Sequence, residues 1–501
     1  GDLTAWVAGS MGVVALIVLA QATYYPFIGD DEISRYGWFA RLIVQNTGLT
    51  PEARGYPMLM PLAYAATFLT SGALPEQVAR LFPALYAAAT VAATYALARR
   101  WFGNQAAWMA AVLLAATPLF IRWAPNGYLD IPSALYFVLA ALAADVWRAE
   151  RATRWALLTG VLAGLALWTK QAGFAALPVI GLVMLTTALA DLRRGLPTRA
   201  LQAIRHGMLL LAITLVSGGW WYARNALYDG LGAAVPGPGA YYTQQALHDV
   251  AYAIPFIGYF TDFGYLTAVA YIAGLLGAVV RIGSRKTDSG KLIWCSLWSV
   301  PYTLYWWWQF SYDPRFILTV LPFYAILAGA TGKALWRWSP IQDRQRKPLL
   351  PNLQSSVLIA VTLLVVTLGL YQARLGGALA WLRAPTASYA ERLTRAKGDM
   401  YPVVEYLRDH TAVSDRIVSM DPRQSYYLMD HTIHFGYPLE VADLRTYDYV
   451  VYGSWAPTVY AGLGADLGAI RAALDDPAQF EQVFAGPSSS IVIYRMLQPP
   501  P

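Results

Sequence analysis

The chain has 501 residues, of which 57% are apolar, 14% aromatic and only 13% charged. That balance leaves too little polar surface for a water-soluble fold and places the chain in a bilayer. The net charge of +7 falls in short clusters between apolar runs rather than along one face, which argues against nucleic-acid binding and for membrane orientation.

A bilayer core of roughly 30 Å needs about 20 apolar residues as helix. Residues 5–24 meet that template first. The run has no basic stretch before it and no convincing small-residue cleavage site after it, so it reads as a spanning helix rather than a signal peptide, in a chain whose natural start is expected upstream of Gly1. Further spans are predicted at 80–99, 104–122, 129–147, 155–169, 172–190, 207–224, 263–281, 292–308, 315–335 and 354–372. Basic residues fall in alternate connections: Arg99 and Arg100; Arg148, Arg151 and Arg154; Arg193, Arg194, Arg199 and Arg205; Arg281, Arg285, Lys286 and Lys291; Lys333, Arg337, Arg344, Arg346 and Lys347. The positive-inside rule makes these cytoplasmic. The first loop (25–79), the short loop around 123–128, the turn at Lys170, the loop 225–262 and the turn 309–314 are then external. From about Pro385 the sequence turns mixed and polar, with a helix at 401–410, strands at 416–420, 448–452 and 490–495, and a helix at 466–474. The expected fold is an α-helical polytopic membrane protein of about eleven transmembrane helices, residues 1–384, followed by a small extracytoplasmic α/β domain, residues 385–501. The single cysteine, Cys295, excludes a disulfide framework within the chain.

Asp30-Asp31-Glu32 stands directly after the first span, where acidic residues have no role in setting topology. Clustered carboxylates repel, and one at a dry membrane edge is suited to take a proton from a hydroxyl or amine. The competing reading is capping of an amphipathic membrane-surface helix at 33–45, for which one acid suffices. Asp130, at the outer end of the fourth span, and Arg122, at the outer end of the third, lie at the same depth. Ionisable groups there are either solvated or line a polar cavity. Lys170 sits in a turn too tight for a flexible loop and suits a lipid phosphate, with snorkelling as the alternative. Arg315 and Arg54 offer guanidinium forks for phosphate oxygens, Arg315 alternatively pairing with Asp313. Trp306-Trp307-Trp308 and Trp220-Trp221-Tyr222 read as an interfacial belt in preference to a sugar-stacking platform. Asp30, Asp31 and Asp130 have the oxygen ligands for magnesium or manganese, whereas His431 and His434 belong to no metal motif. No phosphate-cradling glycine loop or nucleophile elbow occurs, which argues against a nucleotide-driven pump or a serine hydrolase.

These motifs, in this order, resemble the C-type integral-membrane glycosyltransferases (GT-C), the group that holds protein O-mannosyltransferases and the aminoarabinose transferase of lipid A. The resemblance spans nearly the whole chain and rests on Asp31-Glu32 after the first helix, the loop from Arg122 to Asp130, Trp168-Thr169-Lys170, and Arg315-Phe316 leading into Leu321-Pro322. It implies a polyprenyl-phosphate sugar donor, an extracytoplasmic acceptor and inverting displacement at the plasma membrane. Asp31 would act as base with Glu32 beside it, Asp130 would orient acceptor or sugar, and Lys170 and Arg315, with Arg35 or Arg122, would meet the leaving phosphate. Surface helices near 33–45 and 57–69 would shape the cavity. Such relatives often carry a lysine before paired prolines in the first loop; here Arg54 precedes Gly55-Tyr56-Pro57-Met58 and would replace that cation. A lipid or sugar carrier and a non-catalytic subunit on the same scaffold are the competing functions.

Overall fold

The computed structural model describes residues 2–51, 55–71, 75–230, 246–337, 351–373, 379–454, 456–463, 466–488 and 490–497; Arg54 and the basic residues Arg344, Arg346 and Lys347 lie outside them. Every apolar run forms helix, because away from water only a helix satisfies each backbone N–H and C=O within its own segment. The chain enters as α1 (Asp2–Tyr24) and crosses the first loop through α2 (Trp38–Gln45), α3 (Leu59–Thr70) and α4 (Pro75–Ala79). It continues through α5 (Leu81–Phe102), α6 (Asn104–Ala115), α7 (Pro118–Trp123), α8 (Asp130–Glu150) and α9 (Thr153–Thr169). Next come α10 (Ala176–Arg193), α11 (Pro197–Thr214), α12 (Trp220–Asp229), α13 (Tyr265–Gly283), α14 (Ser289–Phe310), α15 (Leu321–Arg337) and α16 (Pro351–Gln372). Among the described residues, five continuous stretches suffice by length and composition to cross a bilayer: Glu76–Phe102, Asp130–Glu150, Gln171–Arg193, Pro197–Asp229 and Tyr265–Gly283.

Two predicted spans differ in detail, and a third, 207–224, passes through a π-helical segment, Leu215–Gly219, between α11 and α12. The helix expected over 104–122 breaks at Thr117, whose backbone is extended (φ −69°, ψ 120°), and restarts as α7 because Pro118 has no N–H for the preceding turn. The span expected from Arg315 begins as a 3₁₀ turn, Pro314–Thr319, before α15. Small residues let the helices close on one another: a Cβ on Gly329 of α15 would lie 2.3 Å from the Ala106 carbonyl of α6.

Beyond α16, α17 (Tyr389–Lys397) and α18 (Met400–His410) lead into a five-stranded sheet of order β2-β1-β3-β5-β4. Its strands are β1 (Arg416–Ser419), β2 (Thr432–Phe435), β3 (Tyr449–Tyr452), β4 (Phe480–Ala485) and β5 (Val492–Met496). Strand β1 pairs in parallel with β2 and β3, and β5 antiparallel with β3 and β4. The central strands are apolar on both faces for a reason. Ile417, Val451 and Ile493 join a core with Phe27, Ile33, Tyr36 and Tyr64 of the first loop, whereas Val418, Val450 and Tyr494 turn to the domain's own helices. The soluble domain thus sits directly on the loop that follows α1.

Candidate functional site

The segment between α1 and α2 is a six-residue π-helix, Glu32–Gly37, a form of helix common at functional sites. Glu32 anchors it. Its buried carboxylate accepts the N–H groups of Ile28 (2.9 Å), Gly29 (2.7 Å) and Gly127 (2.6 Å), and Arg80 Nε lies 3.4 Å away. Arg80, itself fully buried, donates to the carbonyls of Tyr25, Pro26 and Pro125 and to Asn126 Oδ1. One ion pair therefore ties the loop after α1 to the loop between α7 and α8. The approach is so close that a Cβ on Gly127 would meet Glu32 Oε1 at 2.6 Å. With three N–H donors and a guanidinium around it, Glu32 holds the two loops together beside Asp31.

That brace fixes two carboxylates around one guanidinium. Arg315 Nη1 lies 3.5 Å from Asp31 Oδ2, its Nε 3.7 Å from Asp130 Oδ2 and its Nη2 3.2 Å from Asp313 Oδ2. Asp130 begins α8 and is buried; its other oxygen is hydrogen-bonded to Lys170, in the turn between α9 and the 3₁₀ segment that opens α10. Asp31 is half-buried, pairs with Arg35 Nε at 3.4 Å, and its N–H donates to the Tyr128 hydroxyl (3.2 Å). Aromatic rings wall the cluster: the Arg315 guanidinium lies 4.5 Å from the Tyr128 centroid and 4.9 Å from that of Trp123, and Lys170 Nζ lies 4.1 Å from Phe316. Burial pushes the Lys170 ammonium below the usual lysine pKa although Asp130 opposes the shift, and burial raises the Asp313 carboxyl against the pull of Arg315. The site therefore holds three carboxylates balanced by Arg315, Lys170 and Arg35.

Asp31, Asp130, Lys170, Arg315 and Arg35 are thus brought together. Arg122 is not: it pairs with Asp262 (2.6 Å), on the segment ahead of α13. Asp30 also turns away, its Oδ1 accepting Lys397 Nζ (2.8 Å) and Arg423 Nη1 (3.1 Å) from the soluble domain. The trio Asp30, Asp31 and Asp130 thus does not converge, and a guanidinium stands between the latter two where a shared cation would lie. Among the described residues no group of three His, Cys, Asp or Glu side chains gathers in a metal-binding arrangement. These residues do not fit a divalent ion as they stand, and no step below runs through one.

Sequence reasoning missed Glu76. Buried in α4, it accepts Phe27 N–H (3.0 Å) and the hydroxyls of Tyr389 (3.0 Å) and Tyr426 (2.7 Å), and so bonds the soluble domain to the first loop. The only local signal was a pair of opposite charges, Glu76 and Arg80, at the head of an apolar run.

Comparison with known proteins fits this geometry. The family model described as dolichyl-phosphate-mannose-protein mannosyltransferase matches residues 56–222. No curated protein sequence matches the chain. Among solved structures, ArnT from Cupriavidus metallidurans in the apo state superposes with a TM-score of 0.64 at 17% identity, over 99% of this chain and 98% of that one. The same enzyme bound to undecaprenyl phosphate gives 0.61 at 17%, over 98% of each chain. The archaeal oligosaccharyltransferase AglB from Archaeoglobus fulgidus, in complex with an inhibitory peptide and a dolichol-phosphate, gives 0.60 at 14%, over 98% of this chain and 74% of that one. The chain is a multi-pass membrane protein with the GT-C glycosyltransferase fold.

Proposed function

We propose that this protein transfers a sugar from a polyprenyl-phosphate donor to an extracytoplasmic acceptor with inversion at the anomeric carbon. The observation that carries the reading is Arg315, a guanidinium shared by Asp31 and Asp130 beside Lys170 at the membrane's outer edge. Such a cluster is stable without substrate because the charges cancel, and it can exchange partners when a phosphate arrives. The donor phosphate takes Arg315 and Lys170, which frees Asp31. Asp31 then accepts the proton of an acceptor hydroxyl or amine as that group bonds to the anomeric carbon. The bond from that carbon to the phosphate oxygen breaks, and the polyprenyl phosphate leaves with one more negative charge. Arg315 and Lys170 stabilise that charge where it develops. Asp130 holds Lys170 in place throughout. Support comes from the fold shared with ArnT and AglB, solved with undecaprenyl phosphate and dolichol-phosphate respectively. By the charge pattern the cluster and the soluble domain face away from the cytoplasm of a plasma membrane. A carrier would instead place its ionisable groups near the bilayer midplane.

The test is transfer from a panel of polyprenyl-phosphate sugars to membrane extract by protein reconstituted in nanodiscs. Asp31→Asn should lower kcat by about 10³-fold with the melting temperature unchanged within a few degrees. Equal activity in wild type and Asp31→Asn would remove Asp31 from the mechanism, and no transfer from any donor would overturn the function.

A further inference from the structure

Five of the buried polar side-chain atoms that the described residues leave without a hydrogen-bond partner lie in one patch. Asn225 in α12 is fully buried, and neither its Oδ1 nor its Nδ2 has a hydrogen-bond partner among the described residues. The indole Nε1 atoms of Trp168 and Trp221 and the hydroxyl of Thr50 are buried and unpartnered in the same way. Trp168, Trp220 and Trp221 follow one another at ring separations of 5.4 and 5.6 Å. Trp221 packs with Phe39 and Met58 of the first loop, with half-buried Tyr56 and Trp168 against them. Asn225 lies one helical turn beyond Trp221 on the same buried face of α12. Between them Arg224 lies 4.8 Å from the Trp221 ring centroid and donates to the Thr50 carbonyl (2.9 Å), which brings Thr50 to the same patch.

A buried amide left unpaired at both ends costs stability, and proteins seldom keep one without a use. The patch also adjoins the carboxylate cluster. Arg35, paired with Asp31, lies 4.7 Å from the Tyr56 ring centroid, and Trp168 stands two residues before Lys170.

We propose that Asn225, Trp168 and Trp221 form a carbohydrate subsite next to Asp31. An amide that donates and accepts, two indole N–H donors and flat aromatic faces match a pyranose, whose edge is ringed by hydroxyls and whose faces carry C–H groups. A lipid tail would leave the amide unpaired, and a phosphate would find no use for its Oδ1. Sequence placed the Trp220-Trp221-Tyr222 run in an interfacial belt, but Trp221 is fully buried and faces the first loop instead. Because Asn225 is itself covered, entry of a ring parts the half-buried indoles of Trp168 and Trp220, so that binding reorders the patch.

The inference rests on the glycosyl-transfer reading, and the two fail in different ways. Asn225→Leu removes the amide and keeps the branched shape of the side chain, with two bulkier methyl groups in place of the oxygen and the amino group. It should raise the melting temperature by a few degrees, since an unpaired polar group is lost. It should also raise KM at least about tenfold for either the donor or the acceptor, with the affected substrate showing whose sugar occupies the subsite. Trp168→Phe keeps an aromatic face while removing the N–H and the pyrrole ring that carries it, and should raise the same KM; it serves if Asn225→Leu does not fold. Unchanged KM values for both substrates in an active enzyme would overturn the subsite. If the wild type transfers nothing, the functional reading falls by itself. The subsite is then decided by quenching of tryptophan fluorescence with methyl α-mannopyranoside and related methyl glycosides: a saturable signal that Asn225→Leu abolishes supports it, and no signal overturns it.

Discussion

Lys170 shows how one side chain sets the working range of the site. It is buried against Asp130 and Phe316, and that burial lowers its pKa from the usual lysine value. A cation with a lowered pKa is charged below that value and loses its proton as pH rises through it, earlier than an exposed lysine near about 10.4. Donor affinity should therefore fall on the alkaline side before an ordinary lysine would titrate. Lys170→Arg replaces the group with one that stays charged throughout. Its activity is expected to be lower, because a guanidinium fits the Asp130 pairing differently, but the alkaline limb of its kcat/KM profile should move up by about one pH unit or more. Coincident limbs in a pH–rate comparison would mean that Lys170 does not carry the titrating charge. The lysine was readable in sequence from its position in a tight turn, whereas its pairing with Asp130 was not. Asp130 lies forty residues earlier, and only the packing of α8 against α9 brings the two together.

Among the elements, the π-helix Glu32–Gly37 is held from both sides. Glu32 and Arg80 brace it against the loop between α7 and α8, while Lys397 at the end of α17 and Arg423 ahead of β2 hold Asp30, the residue just before Asp31. Arg423 is in turn fixed by the buried carboxylate of Asp421, whose oxygens meet its Nε at 2.8 and 3.1 Å. Asp30 is exposed enough that its ion pairs are worth little to stability, about 1 kcal/mol or less. Its value to Asp31 is positional, and misplacing a reacting group by a fraction of an ångström costs far more in rate than in stability. Asp30→Asn should leave the melting temperature nearly unchanged and lower kcat about tenfold with little change in KM. A kcat equal to wild type, measured in the same nanodisc assay, would show that the soluble domain does not tune the turn. The helices on either side were legible because a bilayer requires long apolar runs. The π-helix was not, because its form depends on contacts with Gly127, Tyr128 and Arg423 that lie far away in sequence. Strand β2 escaped notice for another reason: it lies at the sheet edge, largely exposed, and its four residues are too short a run for their polar–apolar alternation to mark a strand.

At the scale of the whole molecule, the membrane helices and the soluble domain share one core at the first loop, and a buried carboxylate sits inside it. Composition and charge pattern sufficed to read the helix bundle and the soluble tail, since those depend on the solvent each segment meets. How the two parts join could not be read, because Glu76 bonds to Tyr389 and Tyr426, more than three hundred residues away. The joint is polar within an apolar surround: Glu76 takes Phe27 N–H and two tyrosine hydroxyls, with Arg41 Nη2 3.8 Å away. Replacing it with leucine leaves those donors and the Arg41 charge unanswered, at a cost of about 1–3 kcal/mol for each buried group. Since Ile417, Val451 and Ile493 of the sheet still meet Phe27 and Tyr64, the domain should loosen rather than detach. Glu76→Leu is thus expected to lower the melting temperature by several degrees and to speed limited proteolysis just ahead of α17, with the membrane helices still protected. Glu76→Gln keeps an acceptor oxygen and should fall between. Digestion indistinguishable from wild type would mean that apolar packing alone seats the domain on the loop that carries Asp31.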